Sequence, residues 1–250
     1  MPPRYEVIGV EGLPEIGVGQ DLAQLIAEAA RAQQTPLAAG DLLVVSQKIV
    51  SKTEGRIVRL SGVTPSPETR RLAEEIERDP RLVEVILRES RRIVRKDKGV
   101  LIVETRHGLV CANAGVDQSN VDADTACLLP QDSDRSARGL RDALRALTGH
   151  DLGIIIADTF GRPWREGLTN VAIGVAGLEP LKSYLGEKDP AGHVLQATIL
   201  AIADELSSAA EPIMGKLDRI PVVIIRGLDW PRGESGSRSL LRDPARDLFR

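Results

Sequence analysis

Apolar residues occur along the chain in two patterns, as continuous short runs and as helix-spaced stripes. The continuous runs at residues 42–45 and 153–157 are typical of strands buried on both faces of a sheet. Shorter apolar stretches predict further strands over residues 5–10, 100–104, 109–112 and 221–225. The two middle stretches are separated by Arg106-His107-Gly108 and therefore predict a β-hairpin.

Helical spacing and capping residues predict the helices. A stripe over residues 22–29 indicates a helix that begins near Asp21. Ser66 and Asp79 each precede a proline, an arrangement that favours a helix start. A later amphipathic stripe ends at Gly149, a residue suited to a helix C-terminus. The last stripe predicts a long helix after Pro190 that carries Leu195, Thr198, Ile199, Ile202, Leu206 and Ala209.

Hairpin signals mixed with helices predict an α+β fold with mixed, largely antiparallel sheets and packed helices. The sequence contains neither a Gly-x-x-x-x-Gly-Lys-Ser/Thr loop nor a Gly-x-Gly-x-x-Gly turn, which argues against P-loop and Rossmann folds. No flexible linker divides the chain. We therefore expect residues 1–250 to form a single catalytic unit, with room for two intertwined subdomains.

Composition narrows the functional classes. The net charge is −3, from 33 basic and 36 acidic residues, which argues against a nucleic-acid-binding protein. Two cysteines and three widely spaced histidines give neither a disulfide framework nor a zinc pattern. No apolar run approaches the roughly 20 residues that span a bilayer, and no signal-peptide pattern is present. We expect a cytoplasmic protein that does not contact membranes.

Two acidic segments follow apolar strands and are the strongest chemical signal. Asp117 follows the predicted hairpin, and Asp158 and Thr159 follow the run at 153–157. Both are interpreted as loops at strand ends, and two such acids would suit Mg²⁺, which prefers oxygen ligands shared with substrate phosphates. Two structural alternatives stay open, an Asx turn at Asp117 and an ion pair of Asp158 with Arg162 or Arg165.

Basic segments give weaker signals. Ser46, Gln47, Lys48 and Lys52 lie in an apparent loop after the strand at 42–45, where a lysine could meet a phosphate. The basic stretch 88–98 is interpreted as a solvated face or, alternatively, as a surface that attracts anionic substrates.

Several long segments together resemble the coenzyme F420:L-glutamate ligase family (F420-0:γ-glutamyl ligase), in its free-standing form. The similarity extends from near residue 10 to the final residues 247–250. Its most distinctive parts are residues 13–16, 46–52, 79–84, 104–120, 158–165 and 214–216.

The resemblance implies a family-specific ligase fold and GTP-dependent addition of L-glutamate to a deazaflavin coenzyme precursor. A second, γ-linked glutamate would follow, and GDP and phosphate would be released. It also implies a homodimer, Mg²⁺ or Mn²⁺ with two ions per site, and a response to K⁺.

Residue roles are carried over position by position. The resemblance implies GTP contacts by Leu13, Pro14, Glu15, Ile16, Ser46, Gln47, Lys52, Asn120, Met214, Gly215 and Lys216. It implies that Asp117 and Asp158 hold one divalent cation, that Thr159 touches a second, and that Lys52 assists catalysis. Lys216 cannot ligate a metal ion while it is charged.

Two other functions fit the same residues. A metal-dependent phosphohydrolase would use water in place of the glutamate amine. A nucleotide-sensing or scaffold dimer would bind GTP and Mg²⁺ without turnover.

Overall fold

The computed structural model describes residues 2–119 and 121–247. The candidate nucleotide contact Asn120 and the final residues 248–250 lie outside the described part of the chain. The strands are, in chain order, β1 (Glu6–Gly9), β2 (Leu42–Ser46), β3 (Ile57–Arg59), β4 (Ser90–Asp97), β5 (Val100–Thr105), β6 (Val110–Ala112), β7 (Thr125–Cys127), β8 (Gly153–Arg162), β9 (Arg165–Ala176), β10 (Lys182–Ser183), β11 (Ile199–Leu200) and β12 (Val222–Arg226). The helices are α1 (Leu22–Ala32), α2 (Gln47–Thr53), α3 (Pro67–Glu75), α4 (Pro80–Arg88), α5 (Ser133–Thr148) and α6 (Ile202–Met214).

In the described residues, five strands form a central mixed sheet in the order β1-β12-β2-β8-β9. The β2–β8 pair is parallel and the other pairs are antiparallel. This arrangement confirms the α+β class with mixed, largely antiparallel sheets.

Both faces of the central sheet are covered, because residues 42–45, 153–157 and 222–225 of its inner strands form continuous apolar runs. Residues such as Leu43, Val45 and Ile154 pack on one face beneath α1 and α5. The alternate residues, such as Val44 and Ile155, pack on the opposite face beneath α6. Successive strand residues point to opposite faces, so one apolar run supplies both layers of core.

A further apolar cluster among the described residues lies outside the central sheet. It joins α3 and α4 to β5, with Ile86, Leu101 and Val103 fully buried. The predicted caps hold, since Ser66 accepts a hydrogen bond from the Thr69 amide and Asp79 from the Arg81 amide. The predicted hairpin is the β5–β6 pair, and β4 adds to it in the order β4-β5-β6.

Several interpretations of the sequence were wrong in detail. Residues 47–53 form α2 rather than a loop, and the segment after Ala157 continues as strand to Arg162 instead of ending there. The long helix begins at Ile202, because residues 182–183 and 199–200 pair with each other as a small hairpin.

The basic stretch 88–98 is mostly strand β4. Five of its basic side chains lie within salt-bridge distance of a glutamate, namely Arg88, Arg91, Arg92, Lys96 and Lys98. Because these charges are already paired, the solvated-face interpretation accounts for the stretch better than an anion-attracting surface does.

Candidate active site

Segments that are distant in sequence converge at one edge of the central sheet. Val10, just past β1, donates its amide to the Val222 carbonyl at the start of β12. At the end of β2, the Ser46 amide donates to the Pro221 carbonyl, and Ser46 is the register partner of Ala157 in β8. The residues that follow β1, those that follow β2 and those that precede β12 therefore lie at the same end of the sheet as Asp158.

A β-bulge lies beside Asp158. Ile156 pairs with Gly174 whereas Ala157 pairs with Ala172, so Ile173 is an extra residue in β9. Bulges re-aim the side chains next to them and are frequent near functional sites. The sheet edge is thereby reshaped where the candidate residues lie.

Asp158 and Thr159 are consecutive strand residues and face opposite sides of the sheet. Asp158 continues the row of Ile154 and Ile156, which faces α1 and α5. Thr159 continues the row of Ile155 and Ala157, which faces α6.

The structure brings Asp158 and Asp117 together. Burial raises the pKa of Asp158 to about 6; the Thr159 amide opposes this shift, and the nearby negative charge of Asp117 adds to it. The positive charges of Lys48 and Lys216 act on the same carboxylate and favour its ionised form. Arg162 instead donates to the Glu166 carbonyl at the hairpin tip, so it does not form the ion pair with Asp158 that the sequence left open.

Asp117 lies in an Asx turn and also faces Lys48. Its Oδ1 accepts the Ser119 amide at 2.8 Å, which is the turn expected from the sequence as an alternative. Its Oδ2 accepts Lys48 Nζ at 2.6 Å and the Ser119 hydroxyl at 2.7 Å. Burial alone would raise the pKa of Asp117, but these hydrogen bonds outweigh burial and lower it. Asp117 therefore closes the Asx turn and also occupies its position in the candidate site.

On the opposite face, Thr159 belongs to a polar cluster with residues of α6 and β9. Its hydroxyl donates to Asn170 Oδ1 at 2.8 Å and accepts Lys216 Nζ at 2.6 Å. Lys216 Nζ also lies 2.7 Å from Glu211 Oε1. The Asn170 amide group donates to the Met214 sulfur at 3.8 Å, which fixes the orientation of the asparagine.

The candidate nucleotide residues surround this edge, but several use their side chains elsewhere. Ile16 and Met214 are buried in the core, and Leu13 packs against it. The buried side chain of Gln47 accepts the Ser51 hydroxyl at 2.9 Å. A ligand at these positions would therefore meet main-chain atoms.

Among the more exposed candidates, Lys52 and Glu15 form an ion pair that ties the segment after β1 to α2. Pro14 is exposed and Ser46 is half-buried at the end of β2. Gly215 ends α6 with a φ of 55°, and a Cβ there would lie 2.0 Å from Asp218 Oδ2. This conformation suits glycine and shapes the loop that carries Lys216.

The two cysteines are reduced and buried, as expected for small apolar residues. Burial, aided by the nearby Asp158 charge, raises the pKa of the Cys111 thiol to about 12. A neutral thiol is a poor nucleophile, so neither the sequence nor the structure favours covalent thiol catalysis here.

Sequence reasoning missed the residues that contact Asp117, Thr159 and Lys216. In the sequence, Lys48 alone was weak evidence for a phosphate site, and Asn170 and Glu211 belong to no recognised motif. A helical reading of residues 47–53 would have placed Lys48 and Lys52 one turn apart, on the same face of α2.

The oxygen donors fit a single hard cation. In the described residues, no group of three or more His, Cys, Asp or Glu side chains is arranged to hold a metal ion. Mg²⁺ commonly takes only one or two carboxylates and completes its octahedron with water and substrate phosphates. Asp117 and Asp158 supply such a pair.

Comparison with known proteins identifies relatives over nearly the whole chain. Residues 12–227 match the family described as F420-0:Gamma-glutamyl ligase. The chain is 48% identical over 247 residues to the coenzyme F420:L-glutamate ligase of Methanothermobacter thermautotrophicus, covering 98% of each chain. It is 48% identical to the protein of that name from Methanopyrus kandleri, with 99% of this chain and 97% of the relative aligned. It is 43% identical to the protein of that name from Methanocaldococcus jannaschii, with 99% of this chain and 97% of the relative aligned.

Across the residues that the structure describes, no helix combines the length and apolarity required for a membrane span.

Proposed function

The chain belongs to the F420-0:gamma-glutamyl ligase family, and on that premise we propose that it attaches L-glutamate to the deazaflavin precursor of coenzyme F420. The reaction is driven by GTP, and a second, γ-linked glutamate follows the first. The observation that supports this chemistry is the meeting of Asp117 and Asp158 with Lys48 and Lys216 at the sheet edge.

Two chemical steps account for GTP use. A carboxylate does not react with an amine until one of its oxygens becomes a leaving group. Transfer of the γ-phosphoryl group to the acceptor carboxylate forms an acyl phosphate and GDP. The glutamate amine then attacks the acyl carbon, and phosphate leaves.

Phosphoryl transfer depends chiefly on positioning and on charge neutralisation. Asp117 and Asp158 would hold one Mg²⁺ or Mn²⁺, which when bound offsets the charge of the phosphate oxygens. Lys52 adds a positive charge from α2 after exchanging Glu15 for a phosphate oxygen.

The nucleotide lies along the same edge. Residues 13–16, Ser46 and Gln47 contact it from the ends of β1 and β2, and Met214, Gly215 and Lys216 contact it from the end of α6. Asn120 completes this set. The active enzyme is a cytoplasmic homodimer that responds to K⁺.

The decisive assay measures phosphate release from GTP together with the mass of the deazaflavin product. Phosphate release should require both glutamate and the acceptor, and the product should gain the mass of glutamate. Release without either substrate would indicate a phosphohydrolase, and GTP binding without turnover would indicate a sensor or scaffold.

Asp158→Asn preserves side-chain volume and removes the charge that holds the cation. We expect it to reduce ligation roughly a hundredfold or more while the circular dichroism spectrum stays unchanged. Asp142→Asn, on the exposed surface of α5, is the matched control and should keep full activity. Undiminished ligation by Asp158→Asn at ordinary Mg²⁺ concentrations would contradict the proposed role.

A further inference from the structure

The α6 side of the site already contains a positive charge. Lys216 Nζ lies 2.6 Å from the Thr159 hydroxyl and 2.7 Å from a Glu211 carboxylate oxygen. It is also among the charges that favour ionisation of Asp158. One ammonium group therefore bridges two oxygen-bearing residues, Thr159 and Glu211, that a metal ion could otherwise use.

The donors on this face do not fit a divalent cation while Lys216 is present. The Thr159 hydroxyl donates its hydrogen to Asn170 and accepts a hydrogen bond from Lys216, which occupies one of its lone pairs. A metal ion on the same oxygen would lie within a few ångströms of the ammonium group, where the two cations repel. The main negative group near it, Glu211, is neutralised by the same lysine, whereas on the opposite face Lys48 pairs with Asp117 and leaves the carboxylate of Asp158 to a cation.

Strand geometry separates this position from the other cation site. Asp158 and Thr159 point to opposite faces of the sheet, so a cation held by Asp117 and Asp158 is not the ion that Thr159 would contact. The positive charge near Thr159 must therefore come from the α6 side of the sheet, and Lys216 supplies that charge.

We propose that this chain binds one divalent cation per active site and that the ammonium group of Lys216 takes the place of a second one. The lysine carries a fixed positive charge to the nucleotide phosphates from the end of α6. This inference rests on the proposed function, because it assumes the cation site at Asp117 and Asp158.

The proposal predicts a change in metal stoichiometry on substitution. In Lys216→Gln the ammonium group is lost, and Thr159, Asn170, Glu211 and the new amide oxygen form a set of oxygen donors without a competing charge. Mn²⁺ binding, followed by electron paramagnetic resonance with a non-hydrolysable GTP analogue, should rise from one ion per chain to two. The double variant Lys216→Gln/Glu211→Gln should return to one.

Nucleotide binding gives a second readout that does not depend on turnover. At low Mn²⁺ concentration, sufficient for the first ion only, Lys216→Gln should bind the GTP analogue about tenfold more weakly, the scale of one charge-assisted hydrogen bond. Lys96→Gln is the matched control, because its ammonium group lies at the same 2.7 Å distance from Glu75 on the exposed strand β4. Lys96→Gln should change neither the number of Mn²⁺ ions bound nor the affinity for the GTP analogue.

The outcomes separate the two proposals. Two Mn²⁺ ions per wild-type chain would overturn the role of Lys216 and leave the proposed ligase chemistry standing. One ion in both wild type and Lys216→Gln, with equal nucleotide affinity, would also overturn it. No Mn²⁺ bound to the wild type in the presence of nucleotide would refute the Asp117–Asp158 site itself.

Discussion

Lys48 ties the candidate cation site to α2. Its ammonium group contacts Asp117 Oδ2 at 2.6 Å, the Ser119 hydroxyl at 2.8 Å and the Ser119 carbonyl at 2.9 Å. Only 17% of the lysine side chain is exposed. Three hydrogen bonds from this partly buried ammonium group hold the acidic turn in place before any ligand binds.

Lys48→Met keeps the length of the side chain and removes its charge. Without a divalent cation, the free energy of unfolding should fall by about 1 to 2 kcal/mol, because Asp117 loses a charged hydrogen-bond partner. If Asp117 binds a cation, saturating Mg²⁺ should recover most of this loss, since a ligand that binds only the folded state stabilises it. Thermal unfolding with and without Mg²⁺ measures both effects.

Lys52→Met, one helical turn away, is the matched control. Its partner Glu15 is 83% exposed, so losing this pair should cost well under about 1 kcal/mol. Equal losses for the two lysines, or no recovery with Mg²⁺, would contradict the role assigned to Lys48.

At the scale of helices and strands, hydrogen bonds of Glu84 connect α4 to the start of α3. Its Oε2 accepts the Thr69 hydroxyl at 2.7 Å and the Ser66 amide at 3.1 Å, and its Oε1 accepts Arg88 Nε. The Thr69 and Ser66 hydrogen bonds lower the pKa of Glu84 below its ordinary value of 4.5.

A carboxylate whose pKa is lower in the folded state stabilises the fold above its unfolded pKa. That stabilisation is lost as the pH falls through the folded value. Glu84→Gln should therefore lower the free energy of unfolding by about 1 kcal/mol at pH 7, and the difference from wild type should shrink below pH 4.5. Denaturant unfolding at several pH values measures it. Glu74→Gln, an exposed change on α3, should show no such pH dependence.

The contact between α5 and β9 depends on Gly174. A Cβ at this position would lie 2.4 Å from the Ser133 carbonyl oxygen at the start of α5. Gly174→Ala must push the helix away from the bulged strand, and overpacking of this kind costs about 1 to 3 kcal/mol. Gly139→Ala, in the exposed interior of α5 with no atoms nearby, should instead stabilise the protein by about 0.5 to 1 kcal/mol. Thermal unfolding compares the two variants, and equal effects would refute the contact.

The sequence predicted elements whose own residues determine them. Central strands such as β2 and β12 are apolar in their first four residues, and α3 and α4 begin with capping residues followed by proline. Both signals are local, so no knowledge of the fold was needed to recognise them.

Strands that form only because a neighbouring strand pairs with them were missed. The strand β8 continues past Ala157 because β9 pairs with it to the end, although residues 158–162 are largely polar. The strand β4 is exposed along nearly its whole length and forms because β5 lies beside it. The same reason applies to the site: Asp117 and Asp158 were identifiable at strand ends, whereas the positions of Lys48 and Lys216 depend on the packing of α2 and α6.

At the scale of the whole molecule, the long β8–β9 hairpin ends in an exposed tip that carries two large apolar side chains. Trp164 is 78% exposed and Leu168 is 66% exposed. Large apolar side chains exposed at a protein surface can mark a contact with another chain. The proposed homodimer would bury this tip against a second copy of the chain.

Replacing both residues by charged ones tests the dimer. Trp164→Glu/Leu168→Glu should convert the protein from dimer to monomer in sedimentation velocity, because two buried carboxylates without partners would oppose association. Leu147→Glu changes a side chain of α5 that is half exposed and should leave the dimer intact. A wild-type protein that sediments as a monomer would refute the dimer, and a double variant that stays dimeric would place the interface elsewhere.

Because the hairpin also carries Asp158 and Thr159, loss of the dimer should weaken Mn²⁺ binding if contact at the tip stabilises the strand positions of the site.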